Sequence, residues 1–166
     1  KKKTRILILN SPANPTGNVI RKKVLEELAD IAVNNDIYIF SDEAYEKIVY
    51  NKKFHSIGSF NGMKDYVLTF QTFSKSYAMA GFRLGYAAGP KELIDAMAKT
   101  SNYLTVCPPH IAQLAGIKAL AMDRKHIDKM VSEYQRRRDF IVKRLNDIGL
   151  PTVNPDGAFY AFSNIQ

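Results

Sequence analysis

RILILNSPANPTGNVIRKKVLEELADIAVNNDIYIFSDEAY, Arg5 to Tyr45, sets two short apolar runs on either side of an amphipathic segment. Arg5 to Leu9 reads as a buried strand, stopped by NSPANPTG, whose proline, asparagine and glycine mark a turn. From Ile20 to Asn35, Val24, Leu25, Leu28, Ile31 and Ala32 recur at helical spacing. Ile37 to Ser41 then returns to β-branched and aromatic residues, the content of a second buried strand. Strand, helix and strand in this order predict an α/β fold with a mostly parallel sheet and flanking helices.

The rest of the chain extends the pattern. Tyr66 to Gln71 (YVLTFQ) reads as a third strand and Arg83 to Gly89 (RLGYAAG) as a fourth. Pro90 suits the first turn of a helix carrying Leu93, Ile94, Met97 and Ala98 on one face. Ile111 to Met122 is an alanine-rich helical stretch, and His126 to Asp147 continues at helical spacing until Gly149 stops it. Gly157 to Phe162 (GAFYAF) is strand-like and is expected in a second layer. The boundaries that follow are residues 1–125 for a large domain, 126–149 for a connecting helix and 150–166 for the start of a smaller α+β domain.

Composition narrows the function. The 166 residues are 46% hydrophobic, enough for one domain with a real core. No apolar run reaches membrane-spanning length, and the ILIL after KKKTR is too short for a signal segment, so neither a membrane partner nor a targeting segment is expected. Cys107 is the one cysteine, which excludes a disulfide framework and a thiolate metal site and fits a reducing, cytoplasmic compartment. The net charge of +8 is spread along the chain, which favours a solvated basic surface over nucleic acid. Arg136 to Arg138 are read as a wet helix face, with Arg138 in reach of an interface. The absence of an initiating Met, and a close on AFYAFSNIQ with no cap, suggest a piece of a longer protein.

In open α/β sheets ligands bind beyond the carboxyl ends of the strands. Those positions hold Asn14 after the first strand, Asp42 and Tyr45 after the second, and Thr72, Ser74 and Lys75 after the third, with Arg83 at the mouth of the fourth. An amine among apolar groups serves as a nucleophile toward a carbonyl, because desolvation disfavours its charged form. A guanidinium with nearby hydroxyls suits a phosphate. A carboxylate at a strand end suits a protonated ring nitrogen. Aldehyde, phosphate and pyridine nitrogen together describe pyridoxal 5'-phosphate, a carbanion electron sink. Each residue also has an ordinary use: Asp42 as a turn cap, Tyr45 as packing, Asn14 as a turn residue before proline, and Lys75 and Arg83 as a solvated pair.

Four motifs in order, NPTG (Asn14 to Gly17), SDEAY (Ser41 to Tyr45), SKSYAMAGFRLGY (Ser74 to Tyr86) and PDGAFYAF (Pro155 to Phe162), resemble the fold-type I pyridoxal-phosphate enzymes, and within them the class I/II aminotransferases. The resemblance implies that Lys75 holds the cofactor as an internal aldimine and shuttles a proton between the substrate Cα and the cofactor. It implies that Asp42 pairs with the pyridine nitrogen, that Asn14 and Tyr45 bond the 3-oxygen, and that Thr72, Ser74 and Arg83 bind the phosphate. Asn14-Pro15 is a candidate cis bond. The family usually has Ser or Gly where this chain has Thr72, which keeps the hydroxyl and adds a methyl. An upstream phosphate loop, a ring-stacking aromatic and a downstream arginine for the substrate carboxylate have no counterpart here, so the piece alone is expected to be inactive.

The implied activity is transfer of an amino group between an amino acid and a 2-oxo acid, by a homodimer when full length. A C–S lyase or aminocyclopropane-carboxylate synthase-like enzyme, and the ligand-sensing aminotransferase-like domain of a transcription regulator, are the alternatives.

Overall fold

The computed structural model describes residues 3–166. Strand β1 (Ile6–Asn10), helix α1 (Lys22–Asn35) and strand β2 (Tyr38–Asp42) form the expected crossover unit. Strand β3 (Val67–Thr72) follows two short 3-10 turns, and helix α2 (Phe73–Ser76) starts where β3 ends. A third 3-10 turn (Ala80–Phe82), strand β4 (Gly85–Ala88), α3 (Lys91–Leu104), α4 (His110–Leu120) and α5 (Lys125–Asp147) complete the elements. The strands lie in the order β1-β2-β3-β4; the first three run parallel and β4 is antiparallel to β3.

Pleating decides what each face carries, since alternate side chains point to opposite sides. In the register Leu9 pairs with Ser41, and Ile39 with Val67. Leu9, Ile39 and Val67 pack on Leu25, Ala29 and Ala32 of α1, with Ile57 and Met63 closing the same core. The other face is covered in part by α3, whose Leu93, Ala96 and Met97 lie along a groove with Phe40 and Leu68. The expectation that Arg5 to Leu9 is buried throughout is corrected. Ile6 is 45% and Ile8 73% exposed, because β1 is an edge strand whose second face no helix covers among the described residues.

Helix ends follow local chemistry. Asp36 takes the left-handed conformation at the end of α1, where its N–H reaches the carbonyls of Ala32 and Val33. Helix α5 buries Ile127, Arg138 and Val142 along one side. Arg138 is therefore not a wet residue like its neighbours. It falls on the apolar stripe with Ile127, Val131, Tyr134 and Val142, so its guanidinium lies inside, 4.4 Å from the Tyr50 ring centroid and 3.0 Å from the Pro155 carbonyl to which Nη1 donates. Arg136 and Arg137 stay outside and bridge to Glu133.

The strand expected over Gly157 to Phe162 does not form. Only isolated bridges occur there, Val49 with Gly157 and Thr152 with Ser163, and Ala158 has φ 57°, which interrupts extension. The segment is instead tied to distant loops. Asp156 and Gly157 donate their N–H groups to the Gly17 carbonyl at 3.0 and 2.9 Å, and Ala158 donates to Ile48 at 2.9 Å. Among the described residues, no helix is long and apolar enough to cross a membrane. Asn14-Pro15 is cis, as expected, and so is Ser11-Pro12.

Candidate active site

The carboxyl ends of β1, β2 and β3 lie side by side, with Asn10 registered against Asp42 and Asp42 against Phe70. Asn10 Oδ1 accepts from the Asn14 backbone N–H at 2.7 Å, which fixes the start of the NPTG turn beside β2. The Asn14 side chain itself is exposed. Asp42 is exposed at its strand end, and its Oδ1 accepts from Ala44 N at 3.2 Å. That contact is the turn-capping use that the sequence left open.

Thr72 serves as N-cap of α2: its Oγ1 accepts from Ser74 N at 3.1 Å and lies 3.4 Å from the Leu84 carbonyl. The cap sets the first turn and thereby places Ser74 and Lys75, both half-buried. Lys75 Nζ lies 5.7 Å from the ring centroid of Tyr45 and 5.5 Å from that of Phe159. Phe73 N donates to the Leu84 carbonyl at 3.1 Å, so the segment carrying Lys75 is laced to the one carrying Arg83. Arg83 adopts φ 51°, is exposed, and donates from Nη1 to Ala80 O at 2.8 Å. Among the described residues neither Lys75 nor Arg83 forms an ion pair.

Tyr45 is buried, and its hydroxyl hydrogen-bonds that of Tyr160. Burial, then the Tyr160 bond, push its phenol well above the usual tyrosine range, so it remains a neutral donor at physiological pH. Phe159 packs edge-on to Tyr45, with centroids 5.1 Å apart. Phe159 thus stands beside the lysine and Tyr160 holds Tyr45, although PDGAFYAF suggested no role for either by itself. Their contacts span the chain, and nothing local in the sequence encodes them.

The SDEAY motif also contains Glu43, given no role in the sequence. It is 2% exposed, and burial raises its carboxyl above the usual range while the hydroxyls of Ser56 and Ser41 pull it down. A cleft of about 630 Å³ between α5 and residues 155–161 touches Phe159 and Tyr160 but none of the predicted site residues.

The match to known proteins runs through the whole of this arrangement: the family model for aminotransferase class I and II covers residues 1–166. The chain belongs to the class I and II aminotransferases. Among its relatives in this family, aspartate aminotransferase of Pyrococcus abyssi is 48% identical over 99% of the chain, which spans 43% of that protein. Aromatic-amino-acid aminotransferase 2 of Thermococcus litoralis is likewise 48% identical, with the same coverage. The crystal structure of aromatic aminotransferase from Pyrococcus horikoshii OT3 superposes with a TM-score of 0.95 at 48% identity, covering 99% of this chain and 45% of that one. The aminotransferase fold is therefore shared along the entire chain, which spans less than half the length of these relatives.

Proposed function

We propose that the full-length protein is a pyridoxal 5'-phosphate-dependent aminotransferase that moves an amino group between an amino acid and a 2-oxo acid. The observation that carries this reading is Lys75, without a carboxylate partner among the described residues and walled by Tyr45 and Phe159 just beyond the strand ends where Asp42 stands. The names of the relatives, aspartate and aromatic aminotransferases, favour transfer over elimination or ligand sensing.

The donor set fits the cofactor. An amine, a carboxylate and a guanidinium occupy adjoining strand ends, and each matches one polar feature of a pyridine aldehyde phosphate. When bound, the cofactor supplies an electron sink for charge developing at the substrate Cα. Lys75 would hold it covalently and would take and return the Cα proton through Nζ. Asp42 holds the proton on the ring nitrogen. Tyr45, kept neutral by burial, and Asn14 donate to the ring 3-oxygen. Thr72, Ser74 and Arg83 orient the phosphate, an anion suited to a planar donor fork. In this reading residues 1–125 belong to the large domain, 126–149 to a connecting helix and 150–166 to the start of the small domain. The protein works as a cytoplasmic homodimer.

The test is replacement of Lys75 by Ala in the full-length protein. Loss of the cofactor's visible absorption, of borohydride fixation on the Lys75 peptide and of transamination is expected. Undiminished activity of K75A refutes the reading, and pyruvate with ammonia as products would transfer it to elimination.

A further inference from the structure

Strand alternation separates the SDEAY motif into two sets of residues. Asp42 and Thr72 sit on one face of the sheet, the face of the proposed cofactor site. Ser41, Glu43, Thr69 and Gln71 sit on the other, as the pairing of Ser41 with Thr69 and of Asp42 with Phe70 requires. On that hidden face Glu43 gathers three neutral donors. Ser41 Oγ reaches Oε1 at 2.9 Å, Ser56 Oγ reaches Oε1 at 2.7 Å and Gln71 Nε2 reaches Oε2 at 3.3 Å. Among the described residues no lysine or arginine pairs with it.

A carboxylate this deep is costly unless every lone pair finds a donor, and an apolar residue would fill the same space more cheaply. What the carboxylate does that an apolar residue would not is join two particular strand positions. Glu43 is the residue after Asp42, and Gln71 is the residue before Thr72. The Glu43–Gln71 contact therefore crosses from β2 to β3 directly behind the residues proposed to take the ring nitrogen and the phosphate. The Glu43 backbone N–H crosses to Phe70 O at 3.1 Å beside it, and Ser56 ties in the loop that joins the two strands.

We propose that Glu43 is a positioning residue that, through Gln71, fixes the spacing of Asp42 and Thr72 and so holds the cofactor ring in register with Lys75. This rests on the aminotransferase reading above. Glu43 touches neither substrate nor cofactor, and its effect is transmitted through the two strand ends.

The test uses full-length protein with pyridoxal 5'-phosphate as the probe, in E43A, E43Q, Q71A and the double variant E43A/Q71A. E43A and Q71A are expected to raise the cofactor dissociation constant on the order of tenfold, as for loss of a buried hydrogen-bond partner. They also move the pH midpoint of the cofactor's visible absorption upward, because a ring nitrogen that keeps its proton less firmly withdraws less charge from the nitrogen at Lys75. The double variant costs less than the product of the single effects, since both remove one contact, and E43Q recovers part of the affinity. Should E43A fail to fold, Q71A and E43Q decide alone. A lowered melting temperature with unchanged midpoint and dissociation constant, or single effects that multiply, overturns the proposal. If the wild-type protein takes no cofactor at Lys75, the function itself falls; if it does and the variants match it, only the role of Glu43 falls.

Discussion

Replacing Gly17 by Ala should detach the segment that walls Lys75 from the rest of the fold. Gly17 has φ +68°, and a Cβ there would lie 2.3 Å from Pro155 Cβ and 2.7 Å from Gly157 O. The left-handed backbone costs an alanine about 1–2 kcal/mol. Forcing apart a proline and a backbone carbonyl adds about 1–3 kcal/mol. The stiffer unfolded chain returns about 0.4–1 kcal/mol. The net effect, about 1 to 4.6 kcal/mol, converts to roughly a 5- to 2,400-fold change in a local opening equilibrium. It falls on the two bonds that Asp156 and Gly157 donate to the Gly17 carbonyl. Hydrogen exchange of full-length G17A reads it directly: amides of Asp156 and Gly157 should exchange faster by that factor, while those of α1 around Leu25 and Ala29 keep their protection. Unchanged exchange at Asp156 and Gly157, or an equal acceleration everywhere, would show that the strain is absorbed elsewhere and refute the reasoning.

Arg138→Met leaves the Pro155 carbonyl without its charged donor and should cost about 1–3 kcal/mol, seen as a lower urea midpoint; Arg138→Lys should not restore it, lacking the planar fork over Tyr50. A midpoint equal to wild type would show the buried guanidinium to be dispensable. Thr72→Val removes the α2 cap, worth about 1 kcal/mol, together with the hydroxyl proposed for the phosphate, so cofactor titration should show weaker binding. Thr72→Ser keeps both functions and should bind as wild type does. The raised carboxyl of Glu43 gives a pH signature in the same protein. Its folded value lies above the unfolded one, so its stabilising contribution is fully present below the ordinary carboxylate range and disappears as pH rises through the folded value. The stability of wild type relative to E43Q should therefore fall with rising pH in that window, by at most about 1.4 kcal/mol per pH unit for one proton. Urea midpoints that differ by the same amount at every pH would refute it.

Local signals carried much of the fold. The crossover unit was legible because β1, α1 and β2 each have their own period, and the observed bounds lie within two residues of those read from the pattern. The direction of β4 was not legible, because it depends on the turn. Arg83 takes a left-handed φ of 51° and the Leu84 carbonyl bonds Phe73, so the strand starts at Gly85 and runs back along β3. GAFYAF misled because its composition suits a strand while its backbone bonds are taken by loops far away in sequence. Within the site, the strand ends exposed Asp42, Thr72, Ser74 and Lys75 to reading, since each follows its strand closely. Glu43 carries a local signal in the alternation Ser41-x-Glu43, while its place opposite Gln71 comes only from the register of β2 on β3. Phe159 and Tyr160 offered none, because their partner Tyr45 lies 115 residues before Tyr160.

The stitching of Asp156 to Gly17 and Val19 has a bearing on how the protein is made. Val19 N and Asp156 Oδ2 are 137 residues apart in the chain, yet only 3.4 Å apart in space. Contacts of that span require a long loop to close before they give anything back, which makes them slow to form. A nascent polypeptide that has not yet released Phe159 from the ribosome still has Lys75 open on one side. The four strands of the sheet thus leave the ribosome before the aromatic ring that stands 5.5 Å from Lys75 Nζ.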